Sequence, residues 1–303
     1  MKLKPFKLKS KDVVGIFAPS SPIKNFSDLE NGIKYLEKNG LRVEVGKCVY
    51  KKINYLAGND IERANELNSM FENKNIKAIF AARGGYGVHR ILDKLNYNVI
   101  KKNPKIVCGF SDITALQFAL WKKCKLVSLS SPLVVEFAKK MKGNVENYFW
   151  EILTSTNLKN INYEINAENI DEKQIDGILI GGNLTLISSL CGTKFFPNLK
   201  NVILFLEDVS EEIYRIDRMI QHLKHANVFN FTKAILLGNF FDCKLNGKKF
   251  LEKKFVKEFF LDFRKKTFWG LQHGHIQKNL PIPNGLDVHI FKNKLVLKES
   301  FVI

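Results

Sequence analysis

Short apolar runs alternate with amphipathic stretches through the first half of the chain, the pattern of a parallel sheet covered by helices. Val13 to Ala18 reads as a strand, closed by Pro19-Ser20-Ser21-Pro22, a turn that cannot continue a ladder. Ser27 with Glu30 three residues on makes a capping box for a helix to about Lys38. Leu41 to Val45 is a second strand, a helix starts at Asn59 or Asp60 and runs to about Glu72, and Ile76 to Ala82 is a third strand. The Gly-rich loop Arg83-Gly84-Gly85-Tyr86-Gly87 follows, then a helix from Val88 to about Leu95. Lys105 to Cys108 is a strand ending at Gly109, and Ser111 and Asp112 stand just before the apolar-periodic run Ile113 to Trp121, a helix start. Leu126 to Leu129 completes a doubly wound unit.

Between about Gly143 and Ile175 the pattern weakens into Asn-rich polar sequence. The expected organisation is therefore a first domain over residues 1–154, a link over 155–172 and a second domain over 173–303. The alternation then resumes, with a strand from Gly177 to Ile180, the tight loop Gly181-Gly182-Asn183 and a helix from Leu184 to Leu190. Val202 to Leu206 is a strand ending at Glu207, Glu211 to His222 an amphipathic helix, and Ala234 to Leu237 a strand. Phe250 to Arg264 reads as a helix, and Thr267 to Leu271 as a strand running into His273-Gly274-His275. Alternating runs at Leu286 to Phe291 and Leu295 to Phe301, around Lys292-Asn293, predict a closing hairpin. The fold class is α/β.

Composition narrows the context. At 303 residues and 45% hydrophobic the chain can bury a real core. No stretch approaches the roughly 20 apolar residues of a membrane span, and the Lys-rich start is not followed by an apolar core ending in a small-residue cleavage site. A cytoplasmic location with no membrane partner is expected. The five cysteines are odd in number and scattered, without zinc-knuckle spacing, which fits a reduced compartment. The net charge of +18 comes almost wholly from lysines spread as pairs beside abundant Asn, so a coding bias explains it and a nucleic-acid partner is not expected. The charge can still speed encounter with an anionic substrate.

In open α/β sheets ligands bind beyond the carboxyl ends of the strands. Ser111 follows one expected strand, Glu207 ends another and His275 follows a third. Amide hydrolysis by serine needs a base to take the hydroxyl proton and a carboxylate to hold that base in the right tautomer, and one residue of each type suffices. The order serine, acid, histidine is that of the α/β-hydrolases, but Ile113 stands where their G-x-S-x-G motif has its second Gly. Each residue also has a plainer role: Ser111 or Asp112 as a helix N-cap, the glycines as a turn, Glu207 as part of a solvated acidic turn. His273 and His275 flank Gly274 alike, and pattern alone does not choose between them; no metal-ligand spacing lies nearby.

Taken together, these segments resemble the LD-carboxypeptidase family of serine peptidases, which also contains the microcin C immunity proteins. The resemblance runs through Ala18-Pro19-Ser20-Ser21-Pro22, Ala57-Gly58-Asn59-Asp60 with Arg63 and Ala64, and Arg83-Gly84-Gly85-Tyr86-Gly87. It continues through Gly109-Phe110-Ser111-Asp112-Ile113-Thr114, Gly181-Gly182-Asn183-Leu184 and Leu206-Glu207-Asp208-Val209 with Tyr214-Arg215-Ile216-Asp217-Arg218. It ends at Gly274-His275 with Asn279, Pro283 and Gly285. It implies a flavodoxin-like N-terminal domain with a parallel sheet and a smaller α/β C-terminal domain. It assigns Ser111 as nucleophile, Glu207 as orienting acid, His275 rather than His273 as base, and the backbone N–H groups of Gly85 and Asp112 as oxyanion hole. The resemblance further implies a homodimer acting on the diamino acid to D-alanine bond of a muropeptide in cell-wall recycling, with no metal or organic cofactor. A microcin-like peptidyl or aminoacyl nucleotide as substrate and a two-domain binding protein without chemistry are the rival readings. A triad split between domains would also let hinge motion gate activity.

Overall fold

The structure, a computed structural model, describes residues 1–158, 161–167, 174–245, 248–249, 254 and 258–303. Its first half is built as the hydrophobic pattern dictates. Strands β1 (Val13–Phe17), β2 (Arg42–Val45), β3 (Ile76–Ala81), β4 (Ile106–Cys108) and β5 (Ser128–Ser130) lie side by side in the order β5-β4-β3-β1-β2. All are parallel. Helices α1 (Phe26–Lys38), α2 (Asp60–Glu72), α3 (Tyr97–Lys102), α4 (Ile113–Cys124), α5 (Phe137–Lys140) and α6 (Asn144–Thr154) connect and follow them.

Local chemistry explains the helix starts. Asn59 accepts from the Glu62 amide while Glu62 reaches back to the Asn59 amide, a complete capping box worth about 1 kcal/mol. At α1 the cap is Asn25, not Ser27: the Asn25 side chain accepts from the Ser27 amide at 3.1 Å, and Ser27 is already in the first turn. After the Gly-rich loop the expected helix is replaced by two 3-10 turns, Val88–Arg90 and Leu92–Lys94. The chain is pinned there, because Val88 N donates to Asp112 Oδ2 and Gly87 O accepts from Arg63.

The second half forms a mixed sheet. It contains β6 (Asn162–Glu164), β7 (Ile175–Asn183), β8 (Val202–Val209), β9 (Ala234–Phe241), β12 (Thr267–Trp269), β14 (Asp287–Phe291) and β15 (Lys294–Leu297); Lys244–Leu245 and Lys248–Lys249 (β10, β11) pair separately, and β13 is Ile282–Asn284. The order is β12-β9-β8-β7-β14-β15-β6, parallel from β12 to β7 and antiparallel beyond. Helices α7 (Leu184–Leu190), α8 (Ile213–His225) and α9 (Val228–Phe231) complete it. The closing hairpin is β14 and β15, as expected. Of the helix expected over Phe250 to Arg264, residues 250–253 and 255–257 lie outside the described residues, and the end of the stretch is instead a 3-10 helix, Leu261–Lys266.

Two features differ from a reading of two units joined by a plain link. The stretch 155–172 contains β6, an edge strand of the second sheet. Strand β13, late in the chain, pairs antiparallel with β5 and so extends the first sheet. It is an edge strand containing Pro283, and an edge is where a residue without an N–H is tolerated. One hydrophobic cluster runs from Leu8 to Val302 through both halves. The backbone at the end of β7 also runs close against α4: a side chain on Gly182 (φ +148) would meet Thr114 Oγ1 of α4 at 2.4 Å. Buried polar contacts add to this, among them Ser130 with His273 at 2.9 Å and Gly181 N with Asn284 Oδ1 at 2.8 Å. The two halves thus meet through a shared core and buried polar contacts near the carboxyl ends of β4 and β7.

Candidate active site

Ser111 sits between β4 and α4 with φ of 63°, a left-handed conformation uncommon for any residue but glycine. Such strain persists where the surroundings over-determine it, and functional turns are a common place for it. The side chain is partly exposed at the start of α4. A β-carbon on Gly84 would lie 3.2 Å from Ser111 Oγ, so the Gly-rich loop passes directly beside the hydroxyl.

Gly85 has φ +115, and a side chain there would overlap Ser21 Oγ at 2.3 Å; only glycine lets the loop run here. Among the described residues neither the Gly85 nor the Asp112 amide donates a hydrogen bond within the protein. The Asp112 side chain has a separate task. Buried, it accepts from Ser20 Oγ at 2.6 Å and from Val88 N at 2.9 Å, tying together the loops after β1 and β3. Burial pushes its carboxyl up to about 6 against those hydrogen bonds. Buried Arg63 supports the same loops, donating to the carbonyls of Gly58, Pro19 and Gly87.

Glu207, near the end of β8, is 1% exposed, and its Oε2 lies 2.8 Å from His275 Nδ1. A carboxylate accepts, so Nδ1 carries the proton and Nε2 presents a lone pair. The imidazole is 21% exposed. Burial acts to lower its pKa, but the hydrogen bond and charge of Glu207 outweigh burial and hold it above the ordinary histidine value. The His275 ring lies 4.7 Å from the ring of Phe110, the residue before Ser111. His275 of the second half therefore packs against the turn of the first that carries Ser111.

The two candidate histidines separate cleanly. His273 is fully buried, with Nδ1 donating to Leu280 O at 2.8 Å and Nε2 beside Ser130 Oγ at 2.9 Å. Burial drives its pKa down to about 4, so it stays neutral with both nitrogens occupied, a bridge between the sheets. Asn279 accepts from Gly274 N at 3.0 Å and so fixes the peptide between the two histidines. Asn183 caps α7 and donates to Asp208 Oδ1 at 2.9 Å; Asp208, raised to about 6 by burial and then by the charge of Glu207, also accepts from Thr185.

Tyr86 is exposed at the rim with its ring 5.9 Å from that of Tyr55, and Arg83 is partly buried beside Pro22. Sequence reasoning missed Gln117, Asn284 and Ser130. Gln117 donates to Gly109 O at 2.9 Å and accepts from Asn284, which holds Gly181, so a buried polar chain links the Ser111 turn to β7. The signal for Gln117 was a polar residue on the buried face of an apolar helix. Among the described residues no group of His, Cys, Asp and Glu is arranged to hold a metal ion, and no helix is long and apolar enough to cross a membrane.

Comparison with known proteins agrees with this architecture. Residues 14–131 match the LD-carboxypeptidase N-terminal domain and residues 176–290 the LD-carboxypeptidase C-terminal domain. The "Probable murein peptide carboxypeptidase" of Bacillus subtilis is 31% identical, covering 93% of this chain and 89% of its own. The solved muramoyltetrapeptide carboxypeptidase from Oxalobacter formigenes is 29% identical, with a TM-score of 0.83 over 94% of this chain and 97% of that one. The microcin C7 self-immunity protein MccF of Escherichia coli is 28% identical over 93% of this chain and 92% of its own. A structure of MccF in complex with glutamyl sulfamoyl guanosine superposes with a TM-score of 0.87 at 26% identity, covering 99% of this chain and 100% of that chain. With both family domains matched in order and a relative above 30% identity along nearly its whole length, this chain belongs to the LD-carboxypeptidase family, a family of peptidases.

Proposed function

We propose that the protein is a serine-type LD-carboxypeptidase that hydrolyses the diamino acid to D-alanine bond of a cytoplasmic muropeptide, turning a murein tetrapeptide into a tripeptide during peptidoglycan recycling. The observation that carries the reading is the Glu207–His275 pair, its imidazole packed against Phe110 beside a serine held in a left-handed turn. Two relatives that span nearly the whole chain carry the names of murein peptide or muramoyltetrapeptide carboxypeptidases, which supports the substrate class.

In this mechanism Ser111 Oγ attacks the scissile carbonyl carbon while its proton passes to His275 Nε2. The carbonyl oxygen becomes an oxyanion and is held by the Gly85 and Asp112 amides, donors that typically contribute about 3 kcal/mol each. Glu207 keeps the proton on Nδ1 and stabilises the imidazolium. Collapse breaks the C–N bond, and His275 gives its proton to the departing amine, so D-alanine leaves and an ester to Ser111 remains. Water then attacks the ester, its proton going to His275 and from there to Ser111 Oγ as the tripeptide carboxylate departs. The chemistry closes without metal or organic cofactor. By family resemblance the working form is a homodimer, which sedimentation velocity measures.

The test is mass spectrometry of a murein tetrapeptide digest. The reading predicts release of D-alanine by the wild type; no release sinks it. The similarity to MccF along 99% of the chain supports a second reading, cleavage of a peptidyl or aminoacyl nucleotide. Protection of cells against such a compound, without D-alanine release, would select it. A protein that only binds would leave Ser111 unmodified by a serine-reactive phosphonate.

A further inference from the structure

An enzyme that removes one terminal residue must recognise the free carboxylate of that residue, and a guanidinium is well shaped for the task. One residue spans only about 3.3–3.6 Å, so the cation must stand within a side chain's reach of the oxyanion hole. The described arginines sort by partner. Arg63 and Arg90 pair with Asp60, Arg215 lies 3.7 Å from Glu211, and Arg42 and Arg218 are exposed to solvent. Arg83 differs from all of these. It is partly buried, it pairs with no carboxylate among the described residues, and its guanidinium donates only to the Pro22 carbonyl, leaving most of its N–H groups free. Burial of the guanidinium lowers its pKa, with no acidic group acting against it. A half-buried cation without a counter-charge is costly to keep unless an anion arrives to complete it.

Its place is as telling as its charge. Arg83 directly precedes Gly84, on which a β-carbon would lie 3.2 Å from Ser111 Oγ, and stands two residues before Gly85. Lys140, a second described cation near the Ser111 turn, lies 5.5 Å over the Phe110 ring but is already paired with Glu136 at 2.6 Å. We infer that Arg83 is the anchor for the α-carboxylate of the leaving D-amino acid, and so the residue that makes this site a carboxypeptidase rather than an endopeptidase. The inference rests on the carboxypeptidase reading above.

The experiment compares kcat/KM for a murein tetrapeptide ending in D-alanine with that for the same peptide carrying a C-terminal carboxamide. The wild type should prefer the free acid by about 100-fold, the usual scale for losing one partner of a desolvated charge pair. Arg83→Gln should bring the two substrates within about threefold of each other by losing activity on the acid, and Arg83→Lys should keep part of the preference, since a point charge remains without the planar fork. Phosphonate labelling of Ser111 checks the fold, because that reagent carries no carboxylate; if Arg83→Gln fails this check, Arg83→Lys decides the question, a reduced ratio supporting the anchor and an unchanged one overturning it. A wild type that prefers the acid while Arg83→Gln keeps the full preference overturns the anchor and leaves the carboxypeptidase reading standing. Loss of the preference in Lys140→Gln instead also overturns it. A wild type that releases no D-alanine overturns both.

Discussion

The carboxyl edges of the two sheets carry the two halves of the proposed site but are made in different ways. The edge of the first sheet is a backbone construction: Ser111 with φ of 63°, Gly85 with φ of +115° and two amides without acceptors among the described residues. The edge of the second is a side-chain construction, in which Glu207, Asp208, Asn183, His273 and Asn279 are all buried and hydrogen-bonded, with Glu207 Oε1 and Asn279 Nδ2 the polar side-chain atoms among them left without a partner. Ser111 is therefore positioned by main-chain conformation, and Glu207 and His275 by packed polar groups. The first edge should fail when a β-carbon is added, and the second when a hydrogen bond is removed without any change of shape.

The largest effect should come from the second edge. Glu207→Gln keeps the shape but offers an amide to Nδ1 and favours the wrong tautomer, so kcat should fall by about 10⁴-fold. The remaining activity carries a second signature. In the proposed mechanism His275 works as a neutral base, and Glu207 holds its pKa above the ordinary value. Activity should thus rise with pH through that raised pKa in the wild type. Without the carboxylate, burial prevails and the acidic limb should move to lower pH; a limb that moves upward would contradict the assignment.

Gly85→Ala tests the first edge. The added carbon cannot occupy its place beside Ser21 Oγ, so the loop must shift, and kcat should fall by about 100-fold while KM changes little. A normal rate would show that the loop is only a turn. Asn279→Ala, which frees the Gly274 amide, should cost about tenfold in kcat through a misplaced imidazole, on the scale of one lost buried hydrogen bond. Full activity there would show that the β12 loop holds His275 unaided.

The smallest effect on rate belongs to His273, whose contribution is to stability. Its folded pKa is depressed from 6.5 to about 4, so the unfolded chain takes up a proton that the folded chain refuses as pH falls through that window. Its stabilising effect is complete above pH 6.5 and is lost toward pH 4. The melting-temperature gap between wild type and His273→Asn should accordingly narrow over that range. Asp112 and Asp208, raised from 3.8 to about 6, act in the opposite sense, which is why the difference between the two proteins is the quantity to follow.

The contrast between the edges also explains what could be read from the sequence. The strands of both parallel cores and the closing hairpin follow from apolar runs and turn residues, because backbone pattern is local. Placing Ser111, Glu207 and His275 at strand ends follows equally from local pattern. The choice of His275 over His273 does not: what separates them is burial and partners such as Leu280 O and Ser130 Oγ, the latter 143 residues away. Strand β13 was hidden by its three-residue length and by Pro283, and β6 by the polar stretch around it. Gln117 and Asn284 acquire meaning only from each other across the interface.

Labelling by a serine-reactive phosphonate, mapped by peptide mass spectrometry in the wild type and in His275→Ala, reaches the central claim most directly. The account predicts modification at Ser111 in the wild type and a rate lower by about 1,000-fold in His275→Ala. Equal labelling of the two proteins, or none at Ser111 in the wild type, would contradict it.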